Sequence, residues 1–597
     1  MNKKKKDSVR SIWNIIISTY FIFLKNMTGK CVYLFLLSLS PALIIPIKVI
    51  LERYIYDYAQ QIYDTGNLPK YAGFLFGIVL LIQILYIVTY SIYRSNINFI
   101  GSDLEIILQN QINEKTSKMP LLSFEQADLY KKIELACNVS RDLRFMIMMF
   151  VSEVFVYTVS FLSVTGVLGT YHYTLVLMGI FAVLPDIVTK VVQAKIQYLA
   201  LDRLQETSRV KKYFQDLLTH LDYNKEIRVY HTKEYFLKKW NEKNEEYNGE
   251  RRKLIRYHLK VSLICNGISF LSMAGSLVLV IFLVWQKKIG IAEFAASLSA
   301  VILLKTNFLR ILNLGIFAFQ CGLKGKYYYE IMDDGERKGE DMEISPSNGI
   351  VFSDVSFGYQ SNRKIFEHLN VSLKPGQTVA IVGQNGSGKS TFSKLLLGLY
   401  LPCSGDILYG EQSILNASEA SLYRESSAVF QNYGKYYFNI EENVKISDWD
   451  NTEKKENITE LLKSMEFRIN KDMDGEIPLQ TKLGVEFGGQ ELSGGNWQKL
   501  AIARGLYRNH KLIVFDEPTS ALDPLIEETM YQKILTYKTG IIKVYVTHRM
   551  STTVSADLIL VVDHGAIVEM GTHEELMKCG GKYALLWKTQ AKWYENV

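Results

Sequence analysis

Two runs of this chain, residues 71–93 and 261–285, contain no Asp, Glu, Lys or Arg. A helix rises 1.5 Å per residue, so about 20 apolar residues cross ~30 Å of hydrocarbon. Runs of this length are read as membrane spans. Residues 31–50 supply a third, with Lys48 near its end able to snorkel to the interface. Residues 147–168 and 173–192 form a tight pair separated only by the turn 169–172. The last span, 293–320, is interrupted by Lys305 and Arg310. The expected fold is therefore multi-domain, opening with an all-α polytopic membrane domain of about six helices.

Charge sets the orientation. Basic residues crowd the segments 94–146 and 193–260, while the connections on the other side hold only Arg53, Lys70, Lys287 and Lys288. The positive-inside rule places the N-terminus and both long segments in the cytoplasm, and an even number of spans returns the C-terminal half to the same side. Residues 1–30, which begin with Lys3 to Lys6, lack a small-residue cleavage site and read as an amphipathic helix on the membrane surface. The two long segments are expected to be helices that continue beyond the bilayer and reverse near 123–130 and 225–235. The expected division is 1–30 elbow, 31–323 transmembrane domain, 324–349 polar linker and 350–597 soluble domain. A net charge of +7 over 597 residues is too small and too dispersed to suggest a nucleic-acid partner. The six cysteines show neither metal-ligand nor redox spacing.

Chemistry concentrates in the soluble half. Gly383-Gln384-Asn385-Gly386-Ser387-Gly388-Lys389-Ser390 fits the P-loop pattern, after the strand-like run 378–382 and before a helical stretch that opens at Thr391. Glycines let backbone N–H groups converge on phosphate oxygens, and the helix N-terminus adds positive potential. Lys389 is expected to reach the β/γ-phosphates and the Ser390 hydroxyl to bind Mg²⁺. Downstream, the buried-strand signal 511–515 ends in Asp516-Glu517. A carboxylate at a strand tip suits Mg²⁺, and its neighbour suits polarisation of the attacking water.

Leu492-Ser493-Gly494-Gly495-Asn496-Trp497-Gln498 resembles the signature sequence of ATP-binding cassette (ABC) transporters. Further matches are Tyr359 in the adenine-stacking position, Gln431 in the Q-loop, Ser520-Ala521-Leu522-Asp523 as D-loop, and His548 as switch histidine. With the six-helix half, the likeness to an ABC exporter half-transporter spans essentially the whole chain. It implies an α/β P-loop cassette, ATP and Mg²⁺ as cofactors, and Ser390, Gln431 and Asp516 around the metal. Glu517 is then the general-base candidate, and His548 and Gln431 complete the catalytic set. Asn496 departs from the usual Gln, and hydrolysis is expected to survive the loss of one methylene.

The resemblance also implies that each ATP lies between the P-loop of one cassette and Ser493, Gly494, Gly495 and Asn496 of its partner. A second copy of the chain is the expected partner, with a heterodimer as the other arrangement. The two reversal elements become coupling helices expected to dock near Gln431. Residues 483–489, 497–508 and 123–130 look like the peptide and lantibiotic exporters of Gram-positive bacteria. A bacterial cell membrane and a peptide cargo follow from that likeness, with lipid or amphipathic drugs as the alternative cargo. Only about 30 residues precede the first span, so no leader-clipping protease domain is expected, and leader removal or modification would fall to other proteins. Asp186, after Pro185 and one helical turn before Lys190, is the candidate cargo contact. A soluble DNA-directed P-loop ATPase is disfavoured by the charge-free runs, and a transport-free membrane sensor by the complete motif set.

Overall fold

The computed structural model describes residues 2–67, 69–360, 363–450, 457–468, 477–518, 530–534, 536–537 and 539–595. The chain divides into two compact units, Met1–Ser117 with Asp128–Asp334, and Lys118–Ala127 with Gly335–Val597.

The first unit is helical: α1 (Asn2–Thr65), α2 (Ala72–Ser117), α3 (Ala127–Tyr171), α4 (Tyr173–Thr219), α5 (Leu221–Val229), α6 (Lys233–Trp285) and α7 (Ile291–Asp333). Among the described residues, six helices are long and apolar enough to cross a membrane, the number expected from charge-free length. Met27 leaves helical geometry (φ −141°, ψ 38°), so the N-terminal stretch of α1 ends there and a second helix begins. The helices outlast their apolar runs. The first span was expected to end at residue 50, but α1 continues to Thr65. Likewise α7 continues past Lys324, where a linker was expected, because Cys321, Gly325, Tyr328 and Ile331 recur at helical spacing and are all buried.

Phe74, Leu81, Phe270 and Leu271 are each about two-thirds exposed or more, a surface that water would penalise and lipid would not. Inside the unit, small buried residues on α7 (Ala292, Ala296, Ser297 and Ala300) let helices approach closely. Leu304 on the same helix seats against Gly179 of α4, where an added Cβ would lie 3.5 Å from it.

Among the described residues, the second unit holds ten strands. A four-stranded antiparallel sheet has the order β2-β1-β4-β5, from β1 (Ile350–Gln360), β2 (Arg363–Leu373), β4 (Ser404–Tyr409) and β5 (Gln412–Ser413). A six-stranded sheet has the order β10-β9-β3-β8-β7-β6. Its members are β3 (Thr378–Val382), β6 (Ser426–Val429), β7 (Leu512–Asp516), β8 (Ile542–Val546), β9 (Leu558–Asp563) and β10 (Ala566–Gly571). β3, β6, β7, β8 and β9 run parallel, and β10 closes the edge antiparallel to β9. β7 and β8 are buried at every position, as a strand covered on both faces must be.

Candidate nucleotide-binding site

Parallel pairing brings four separated motifs to one edge of the sheet. The P-loop follows β3, Glu517 follows β7, His548 lies just beyond β8, and Gln431 lies just beyond β6. The carboxyl ends of parallel strands are where open α/β sheets bind ligands.

The loop from Gly383 to Gly388 is shaped by close approach. A Cβ on Gly383 (φ 152°) would lie 2.1 Å from the Val562 carbonyl oxygen, and one on Gly388 (φ 114°) 2.9 Å from the Phe366 ring. Gly388 caps α8 (Lys389–Leu396), so the helix N-terminus faces the loop. Gln384, Asn385 and Gly386 are exposed at the loop's tip. Among the described residues, the buried Ser387 hydroxyl has no hydrogen-bond partner. Lys389 donates to the carbonyls of Gly383 (3.0 Å) and Gln384 (2.9 Å). Burial lowers its ammonium pKa, while the nearby Glu517 and Asp516 carboxylates oppose that shift.

Ser390 Oγ donates to Asp516 Oδ1 at 3.2 Å, so the two groups expected around a metal already meet. Burial pushes the Asp516 carboxyl up from its ordinary range, and the Ser390 hydrogen bond offsets part of this. A cation beside Asp516 would relieve the desolvation of its charged form. The next residue, Glu517, has φ 48°, a left-handed conformation uncommon outside glycine and costing on the order of 1 kcal/mol. Its N–H is fixed by the Val546 carbonyl at 3.2 Å. Gln431 Nε2 donates to Glu517 Oε2 at 2.8 Å, and His548 Nε2 lies 2.5 Å from Oε1. Both carboxylate oxygens are thus engaged by the two residues expected to act with it.

Tyr359 is 39% exposed, with its hydroxyl 3.0 Å from Thr391 Oγ1 and its ring edge-on to Tyr400 (5.6 Å, 84°). The sequence reading missed what stands behind this ring. Glu125, in the short helical turn Leu121–Glu125, accepts from the Tyr400 hydroxyl (2.6 Å) and from Lys394 (3.3 Å). These hydrogen bonds hold its carboxyl below the usual range. The first reversal element therefore meets Tyr400 and Lys394. The available signal was weak: Lys394 lies one helical turn after Ser390 on α8.

Ser493 caps α9 (Gly494–Tyr507), accepting from the Asn496 N–H at 3.3 Å. The Asn496 side chain donates to the Arg468 carbonyl at 2.5 Å, so its shorter amide is engaged within its own unit. Gly494 offers its carbonyl to Tyr433 at 3.1 Å, and Ser493 and Gly494 are exposed. None of these bonds reaches the P-loop. Gly495 follows within the same first turn, and Asp523 lies outside the described residues.

Two family models match this chain: the ABC transporter transmembrane region over residues 11–307, and the ABC transporter model over residues 366–520. The chain belongs to the ABC transporters. One transmembrane region and one ATP-binding domain make it a half-transporter, and this ABC transporter is an ATP-hydrolysing, multi-pass membrane protein. The subtilin transport ATP-binding protein SpaT of Bacillus subtilis is 28% identical over 479 residues, 79% of this chain and 77% of that one. An ATP-dependent lipid A-core flippase of Shewanella oneidensis is 39% identical over 244 residues, 40% of this chain and 39% of that one. A solved structure of a bacterial Atm1-family ABC exporter with ATP bound shares the fold, with a TM-score of 0.76 at 21% identity over 95% of this chain and 98% of that one.

In this ABC transporter the partner considered for the cargo candidate Asp186 needs correction. Asp186 is buried and pairs with Lys305 of α7 at 3.3 Å. Ser269 of α6 donates to the same carboxylate at 3.3 Å, and Lys305 also donates to Ser269. Lys190, the partner considered from spacing, donates to Gln193 instead. Asp186 thus ties α4, α6 and α7 together through its Oδ2. Asp186→Ala should cost about 3 kcal/mol by stranding Lys305, whereas Asp186→Leu with Lys305→Met should be close to neutral. Thermal unfolding in detergent would measure both, and a harmless Asp186→Ala would contradict this tie.

Proposed function

We propose that this half-transporter pairs with a second copy of itself in a bacterial cell membrane, N-terminus and cassettes in the cytoplasm, and exports a peptide at the expense of ATP. The observation carrying the peptide reading is the extent of the likeness to the subtilin transport protein. Its 479 residues exceed what the cassette unit contains, so it necessarily runs into the membrane-spanning half, where cargo is read.

Mechanistically, ATP phosphates take the P-loop N–H groups and the orphaned Ser387 hydroxyl, and Lys389 leaves its two carbonyl acceptors for the β/γ-phosphates. The Ser390 hydroxyl, the Asp516 carboxylate and the Gln431 amide oxygen are hard oxygen donors that suit Mg²⁺, which would neutralise phosphate charge there. Glu517 accepts the proton of the attacking water, with Gln431 and His548 holding its carboxylate. The exposed Ser493–Gly495 turn presents a helix N-terminus, and the second copy's turn would complete each site. Closure of that sandwich supplies the ligand-dependent difference in contacts that an alternating-access change requires.

A second reading, movement of lipid, is favoured by the flippase likeness, although that match is only about as long as a cassette. Inside-out proteoliposomes separate the two. ATP-dependent uptake of a labelled cationic lantibiotic-type peptide is expected, with hydrolysis stimulated several-fold. Lipid translocation with no peptide uptake would replace the peptide reading.

A further inference from the structure

A cavity of about 420 Å³ opens among α1, α2, α3 and α7. Isoleucine, leucine and valine side chains make much of its wall, but Lys48, Glu52 and Arg310 also line it. Tyr86, another lining residue, lies inside the charge-free run 71–93, which sets the cavity at bilayer depth. Lys48 was expected to snorkel from a helix end. With α1 continuing to Thr65, it faces this space instead.

Charges at such depth are costly and need a partner or a function. Asp186 and Lys305 have each other. Among the described residues, Lys48, Glu52 and Arg310 have no ion-pair partner within 4.0 Å. Arg310 is held in place by Tyr157, its guanidinium 4.9 Å from the ring centroid and donating to the hydroxyl, while the Glu153 carboxylate acts on it only from beyond ion-pair distance. Lys48 and Glu52 stand one turn apart on α1 and present opposite signs to the same space. The volume falls within the range of small-ligand pockets, enough for a few residues of a peptide and not for a whole one.

We infer that this cavity reads the cargo, binding a short apolar peptide segment that carries both charge signs. Arg310 and Lys48 hold a carboxylate, Glu52 holds an ammonium, and the aliphatic walls take the side chains between them. This rests on the peptide reading above.

The test uses full-length protein in lipid nanodiscs and a short labelled amphipathic peptide made with free ends, N-acetylated or C-amidated. Fluorescence polarisation measures binding, and uptake into proteoliposomes runs in parallel. Glu52→Gln should weaken the free-ended and C-amidated peptides about ten- to a hundred-fold and leave the N-acetylated form unchanged. Arg310→Gln should weaken the free-ended and N-acetylated peptides and leave the C-amidated form unchanged. Glu52→Asp should recover much of the loss, which separates charge recognition from a folding defect. Wild-type affinities for all three peptides in Glu52→Gln and Arg310→Gln, with peptide uptake intact, would overturn the site and leave the peptide reading standing. Wild-type protein that neither binds nor takes up any of the peptides would overturn the peptide reading itself, and the ligand class with it.

Discussion

Glu517→Gln is expected to lower ATP turnover by about two to four orders of magnitude while nucleotide still binds. The amide keeps the side chain's size and much of its hydrogen bonding, so Gln431 and His548 retain a neighbour, but it cannot accept a proton from water. The groups proposed to grip phosphate lie elsewhere, on the loop after β3 and on α8, whereas Glu517 follows β7. Binding and chemistry are therefore separable in this site. Steady-state phosphate release read beside nucleotide affinity would show the split, with ATP accumulating on the variant. Near-normal turnover would remove Glu517 from the role of base.

Lys389→Ala should act on the other half of that division. Hydrogen bonds to charged groups contribute about 1.5–3 kcal/mol, so losing this ammonium should weaken ATP binding roughly ten- to a hundred-fold. The substitution also strips the Gly383 and Gln384 carbonyls of a donor, which introduces some loss of stability. Lys389→Met, which keeps much of the stem, controls for packing. Unaltered nucleotide affinity in both variants would count against the phosphate-binding assignment of this loop.

The spans and the cassette motifs were legible because their signals are local. A charge-free run states its own length, and glycines around Lys389 state the curvature of the loop. The assembly of those motifs was legible only as far as the strands between them could be recognised as parallel neighbours. Contacts that join distant segments were not legible. Nothing in the spacing around Asp186 points to Lys305, because the pairing depends on how α4 and α7 are set against each other. Helix ends were misjudged for a related reason. Composition turns polar near Lys324, yet one buried face carries α7 on to Asp333. The same effect changed the meaning of Lys48, from a residue at the end of a span to one inside a cavity.

The ten residues Lys118–Ala127 belong to the cassette's compact unit although two membrane helices flank them in the chain. Glu125 sits among them and braces Tyr400, on which the Tyr359 ring rests edge-on. A cassette excised at Gly335 would thus be a globule with one buttress missing, its aromatic shelf freed from behind. Nucleotide constants taken on such a fragment would describe a different shelf from the one the whole chain presents.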